Sequence, residues 1–244
     1  FLQRQGDNTL ILGHRVSEWC GIAPVLEEDI ALANTALDLI GQTQLWLAYA
    51  GEVEGKGRDA NDLAFLRDAY DFKNLLMLET PNRDFGYTML RQFLFDAFQV
   101  PFLRELENSS DQKVAEIAHK SGKEAKYHLE RSRDTVIALG DGTEESNNRM
   151  QDALNFLWPY TGEMFDTDDI DLQMVKDGIA PNPSSLRKEW DETISNTFSQ
   201  AFLKSPDTDF YHKGGKNGRR HTEHLGHLLA VMQTLQRSHP GATW

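Results

Sequence analysis

The sequence predicts an all-α fold, a bundle of long antiparallel helices with further helices after residue 144. Apolar residues recur at helical spacing over long segments, as in LEEDIALANTALDLIGQTQLWLAYAGE. No segment of length alternates with period two, and there is no internal repeat or low-complexity tract. Glycine and proline gather between the periodic segments, in CGIAP, GEVEGKGRDAND and SPDTDFYHKGGKNGRR.

Each element follows from local signals. A first helix is expected over Thr9 to Trp19, with Asp7 and Asn8 as capping residues and CGIAP as its stop. The second starts with the acidic run at Glu27 and reaches about Gly51, its apolar stripe formed by Ile30, Ala33, Leu37, Ile40 and Trp46. Shorter pieces, Asp62 to Tyr70 and Leu75 to Glu79, end at Pro81. Asp84 caps a third long helix reaching Glu107, with a kink expected at Pro101. The fourth runs from Asp111 to Leu139, and the turn GDGT closes it as a C-terminal glycine does. Further helices are expected over Glu144 to Tyr160, near Asp168 to Lys176, over Ser185 to Leu203 and over Thr222 to Arg237. With 244 residues, the expectation is one domain over 1–244, its core bundle at about 7–140 and additional helices at about 144–244.

Composition excludes several classes. A formal charge of −13 repels a phosphate backbone, so nucleic acid is not an expected partner. Acidic or amide residues interrupt every hydrophobic segment, so no membrane helix is expected. The one cysteine, Cys20, cannot form an internal disulfide, and FLQRQGDNTL lacks a basic region leading into an apolar stretch; both point to a cytoplasmic chain. Cys20, beside Trp19, is expected to be buried at a helix end. There is no P-loop, no G-x-S-x-G and no dinucleotide fingerprint.

The apolar faces carry charged residues that a plain core avoids. Asp38 in ALDLIG and Asp96 in FLFDAF are flanked by large apolar side chains, and a buried lone carboxylate is costly. With Glu18 on the first helix and His128 on the fourth, each long helix holds one candidate metal ligand. Di-iron carboxylate bundles take one carboxylate from each of two helices and Glu-x-x-His from each of the other two. Here the second helix reads Asp38 to Gly41, with glycine in the histidine position, and the fourth reads Ala125 to His128, with alanine in the glutamate position. Glu124, four residues before His128, shares its helix face and is the one alternative ligand nearby. The expectation from these residues is therefore no intact two-metal centre in this chain.

The blocks LILGHRVSEWCG, EEDIALANTALDLIGQ, PNRDFGYTMLRQFLFDAF, KEAKYHLERSRD, LWPYTGEMF and HTEHLGHLLAVMQTLQRSHPGATW extend over nearly the whole chain. In that order they resemble the C subunits of bacterial phenylacetyl-CoA epoxidases. The resemblance implies a ferritin-like fold and a degenerate paralogue of the A subunit. In that family the di-iron centre and the acyl-CoA site belong to the A subunit, while a B subunit and a reductase with FAD and a 2Fe-2S cluster complete the system. It further implies that Glu18, Asp38, Gly41, Asp96, Ala125 and His128 mark the positions of a vestigial di-iron site. The chain's own role would be to bind and stabilise the A subunit, with no metal, no catalytic residue and no cofactor of its own.

Two further features stand apart. His221, His224 and His227 are spaced i, i+3, i+6, which drifts through 120° of a helix and does not converge on one ion; His221 is equally a cap. Lys213, Lys216, Arg219 and Arg220 gather in a glycine-rich loop of an acidic protein. That loop is a solvated surface or a contact for an anion or partner, such as an acyl-CoA phosphate near a subunit boundary. Two rival readings of the whole remain: a divergent metal oxidase using Glu18, Asp38, Asp96, Glu124 and His128, and a stand-alone helical binding protein.

Overall fold

The computed structural model describes residues 1–242, so Thr243 and Trp244, which end the last block above, lie outside the described residues. The fold is all-α, and among the described residues no strand occurs. The chain forms two compact units, one of residues 1–81 together with the stretch from Lys213 onward, the other of Asn82–His212. Each is built on one long helical hairpin, and two such hairpins are the parts of a ferritin-like bundle.

In the first unit the hairpin is α1 (Leu2–Ser17) with α2 (Leu26–Glu54). Gly6 lets α2 approach closely, because a Cβ there would lie 2.6 Å from Leu47 Cγ. The Thr9 and Thr43 hydroxyls meet 2.8 Å apart across the same seam. Short helices α3 (Ala60–Phe65) and α4 (Leu76–Glu79) follow, and α10 (Glu223–Ser238) joins this unit, packing on both. In the second unit α5 (Phe85–Leu106) pairs with α6 (Gln112–Gly140). Around them lie α7 (Glu144–Leu157) and α9 (Arg187–Gln200), with α8 (Asp169–Lys176) and three 3-10 turns between. Trp190 of α9 donates its indole N–H to the Leu94 carbonyl, 3.0 Å away, which satisfies the one polar atom of that buried side chain.

Capping agrees with the sequence at several starts. Asp84 accepts from the Tyr87 N–H at 2.8 Å, and Asp111 from Lys113 and Val114. Pro101 lies inside α5, removing one donor from the ladder.

Four expectations are corrected. Asp7 and Asn8 are not caps: α1 begins at Leu2, and both residues are buried inside it with partners distant in sequence. Cys20 is exposed, since α1 ends at Ser17 and the chain is already turning at the surface. Gly140 does not close α6 with a left-handed residue. Its C-cap is Asp141 at φ −89°, and the glycine serves close approach, because a Cβ would run into the Ala201 carbonyl. The expected stripe of α2 is for the most part its outer face. Leu32, Ala36, Leu39, Thr43, Trp46 and Leu47 are buried, whereas Ile30, Leu37 and Ile40 are exposed. Both sets have helical spacing, so periodicity finds the helix without saying which side meets the core.

Candidate functional site

The predicted site residues divide between the two units. In the first, Glu18 follows the end of α1 and is 45% exposed at its side chain. It accepts from Arg15 Nη1 at 2.8 Å, while Arg15 Nε and Nη2 donate to the Glu79 carbonyl at 3.1 and 2.7 Å. Glu18 thus extends a structural arginine. Asp38 is half-buried on α2, and Gly41 is exposed with open space where a Cβ would be. The surface position of Gly41 differs from an inward ligand position.

In the second unit Asp96, Ala125 and His128 are all buried. Ala125, His128 and Ser132 recur at i, i+3, i+7 along one face of α6, with Ser121 one turn earlier. Asp96 on α5 faces that stripe: its Oδ2 is 3.0 Å from the Ser132 hydroxyl, and its Oδ1 accepts from Gln92 Nε2 at 2.7 Å. Burial pushes the Asp96 pKa up to about 8, against the hydrogen bonds from Gln92 and Ser132 and the charge of Arg131. Asp96 is therefore chiefly a neutral acid at pH 7. This is how the unit accommodates a carboxyl that is 1% exposed. Glu124, the alternative ligand, is half-buried.

The donor set does not fit a pair of metal ions. Gly41 and Ala125 offer no ligand atom, and Glu18 is occupied by Arg15. Among the described residues no three His, Cys, Asp or Glu side chains are grouped as metal ligands.

The strongest polar clusters are ones the sequence did not announce. Glu79, fully buried, accepts from Asn74 Nδ2 at 2.9 Å and, at its other oxygen, from the Thr222 N–H and hydroxyl at 2.7 and 2.8 Å. His221 Nδ1 lies 2.6 Å from Glu79 Oε1, and its Nε2 lies 3.1 Å from the Phe72 carbonyl. Both ring nitrogens thus lie within hydrogen-bond distance of an oxygen. His221 precedes α10 and cross-links the C-terminal stretch to the end of α4; it shares no helix with His224 and His227. Asp7 forms the second cluster, gripped by Arg67 through Nη2 and through Nη1 at 3.1 Å, with the Lys73 N–H at 2.9 Å. Burial raises the Asp7 pKa, and the Arg67 guanidinium opposes that shift. Arg67 also stacks over Phe72, and Gln233 of α10 donates to the carbonyls of Ala64 and Arg67. Arginine and glutamate in short interrupted segments carry no periodic signal, and the pairs are 60 and 142 residues apart.

The basic loop lies against residues 70–74. The Arg219 and Arg220 N–H groups donate to the Gly214 carbonyl at 2.9 and 3.1 Å. Gly218 takes φ +72° with a Cβ position only 2.9 Å from the Tyr70 carbonyl. Lys213, Arg219 and Arg220 are exposed and Lys216 is half-buried, with Lys73 Nζ close to Gly218.

A chain built on two long helical hairpins, with no strand among its described residues, belongs to the ferritin-like class of all-α proteins. The match to the family described as "Phenylacetic acid catabolic protein" covers residues 1–244, and the chain belongs to that family. It is 47% identical over 241 residues to the C subunit of 1,2-phenylacetyl-CoA epoxidase from Escherichia coli (strain K12), a match covering 99% of this chain and 96% of that protein. No helix among the described residues is long and apolar enough to cross a membrane.

Proposed function

We propose that this chain is the non-catalytic, structural subunit of a phenylacetyl-CoA 1,2-epoxidase, binding and stabilising a di-iron catalytic A subunit in the cytoplasm. The observation that carries the reading is Ala125: a buried methyl group stands one turn before His128, where an iron ligand would have to be. Glu18 committed to Arg15 supports it, as does the near full-length similarity to a C subunit. Oxygen activation then belongs to the partner's di-iron centre, electrons come through the FAD and 2Fe-2S cluster of the reductase, and the assembly also includes a B subunit. Lys213, Lys216, Arg219 and Arg220 form the anion or partner contact, with an acyl-CoA phosphate at the subunit boundary as its ligand.

Reconstitution tests this. Epoxidation by the A subunit and reductase is measured with and without this chain, and iron is measured in the purified chain. The expected result is turnover that requires the chain, with far less than one iron bound to it. Two irons per chain, or turnover by this chain without the A subunit, would establish the rival metal oxidase.

A further inference from the structure

The outer face of α2 is apolar along a continuous seam. Leu26, Ile30, Ala33, Leu37 and Ile40 follow steps of four and three residues, which at 100° per residue keeps them within one side of the helix for about four turns. Leu26 is 70% exposed, Leu37 66% and Ile30 54%, whereas a helix of a monomer spends such spacing on its core. This helix already has a core face on its other side, in Leu32, Leu39, Trp46 and Leu47. The seam exposes on the order of 500 Å² of apolar surface, near the upper limit for the largest patch on a monomer. Ile22 and Val25, exposed just before the helix, extend it towards the ~800 Å² per partner of a standard interface. Gly41 continues the seam without a side chain, leaving space for a neighbouring backbone.

We infer that this seam is the docking surface for an amphipathic helix of the partner subunit, one with leucine-type residues at heptad spacing flanked by lysine or arginine. This rests on the function proposed above and names the surface through which it acts. The heptad step selects a helix over a loop, since knobs at four-and-three spacing fit the holes of another helix. The flanks select its charge. Glu27 and Asp38 border the seam on one side and Asp29 on the other, so basic flanks are attracted. A second copy of this chain is disfavoured, because it would bring acidic rims together between two bodies of formal charge −13.

The test is complex formation between the full chain and the catalytic partner, measured by size-exclusion chromatography and titration. Leu37→Glu and Ile30→Glu change exposed positions and leave the helical circular dichroism unaltered; each is expected to weaken the complex by about 100-fold or more, as loss of a central anchor does. Val231→Glu, a comparably exposed apolar site on α10, is expected to change binding by less than about twofold, in the range of interface-remote changes. Glu27→Lys is expected to slow association and reduce its dependence on salt. A complex that forms normally with Leu37→Glu and Ile30→Glu overturns the docking surface and leaves the proposed function standing. A wild-type chain that forms no complex overturns both. A wild-type homodimer that Leu37→Glu dissociates assigns the seam to a second copy and also overturns the inference.

Discussion

Replacing Asp96 with asparagine isolates the proton that its buried carboxyl holds. The side chains are nearly isosteric, and the amide keeps the volume enclosed by Gln92 and Ser132. In the unfolded chain Asp96 titrates near the ordinary value of 3.8, and in the folded protein near 8, so between those values the native state carries one more proton. Stability from this group is fully present below about pH 4 and is lost as pH rises through about 8. The slope in that window is about 1.4 kcal/mol per pH unit, which integrates to roughly 4 kcal/mol between pH 5 and pH 8. That is a large part of the ~5–15 kcal/mol that typically separates native from unfolded. Asparagine has no such proton. Urea unfolding of both proteins at half-unit steps from pH 5 to 9 yields the difference in unfolding free energy, in which the titration of every other group cancels. The difference is expected to move in favour of Asp96→Asn by about 1.4 kcal/mol per pH unit up to about pH 7, then flatten above pH 8. Parallel curves across the whole range would show that Asp96 is ionised in the folded protein and would refute the reasoning.

Other substitutions probe the remaining clusters. Arg67→Met leaves Asp7 buried beside the Lys73 N–H alone and is expected to cost about 3–5 kcal/mol in urea unfolding; Arg67→Lys, which lacks the two-pronged geometry, restores only part of this. Glu79→Ala orphans donors from Asn74, His221 and Thr222, with an expected loss of about 2–4 kcal/mol and faster proteolysis at the C-terminal stretch. Gly140→Ala forces a methyl group against the Ala201 carbonyl and is expected to lower stability by about 1–3 kcal/mol, whereas Gly41→Ala meets nothing and raises it by about 0.5–1 kcal/mol through helix propensity. Equal thermal shifts for the two glycine variants would contradict the close packing of α6 on residue 201.

The helices were legible in the sequence where length and capping coincide. α5 and α6 begin one residue after Asp84 and Asp111, as capping demands, and their glycine-poor runs set their extent. The start of α1 was not legible, because Asp7 and Asn8 resemble caps in isolation and only Arg67 and the Leu75 N–H, far along the chain, reveal them as buried acceptors. The facing of α2 was ambiguous for a different reason: a helix with two apolar seams has two valid readings, and periodicity alone does not choose between them. At the site, Asp96, Ala125 and His128 were found from local flanks and i,i+3 spacing, and all are buried. Glu18 and Asp38 were selected by the same logic, yet one is exposed on Arg15 and the other half-buried. A single acidic residue beside apolar ones does not indicate which way its bond points. Glu79 with His221 and Asp7 with Arg67 escaped notice because each pair exists only once the fold closes.

The seating of α10 on α3 and α4, fastened by Gln233 and His221, makes Asn82–His212 an insertion between the two stretches of the first unit. Domains generally fold as units as they leave the ribosome. The inserted segment is contiguous and can close while translation continues, but the hairpin of α1 and α2 must wait until α10 has been made before that wall of its unit arrives. A truncation ahead of His221 would therefore unseat residues made far earlier, such as Ala64, Arg67 and Glu79, and not only the residues it removes.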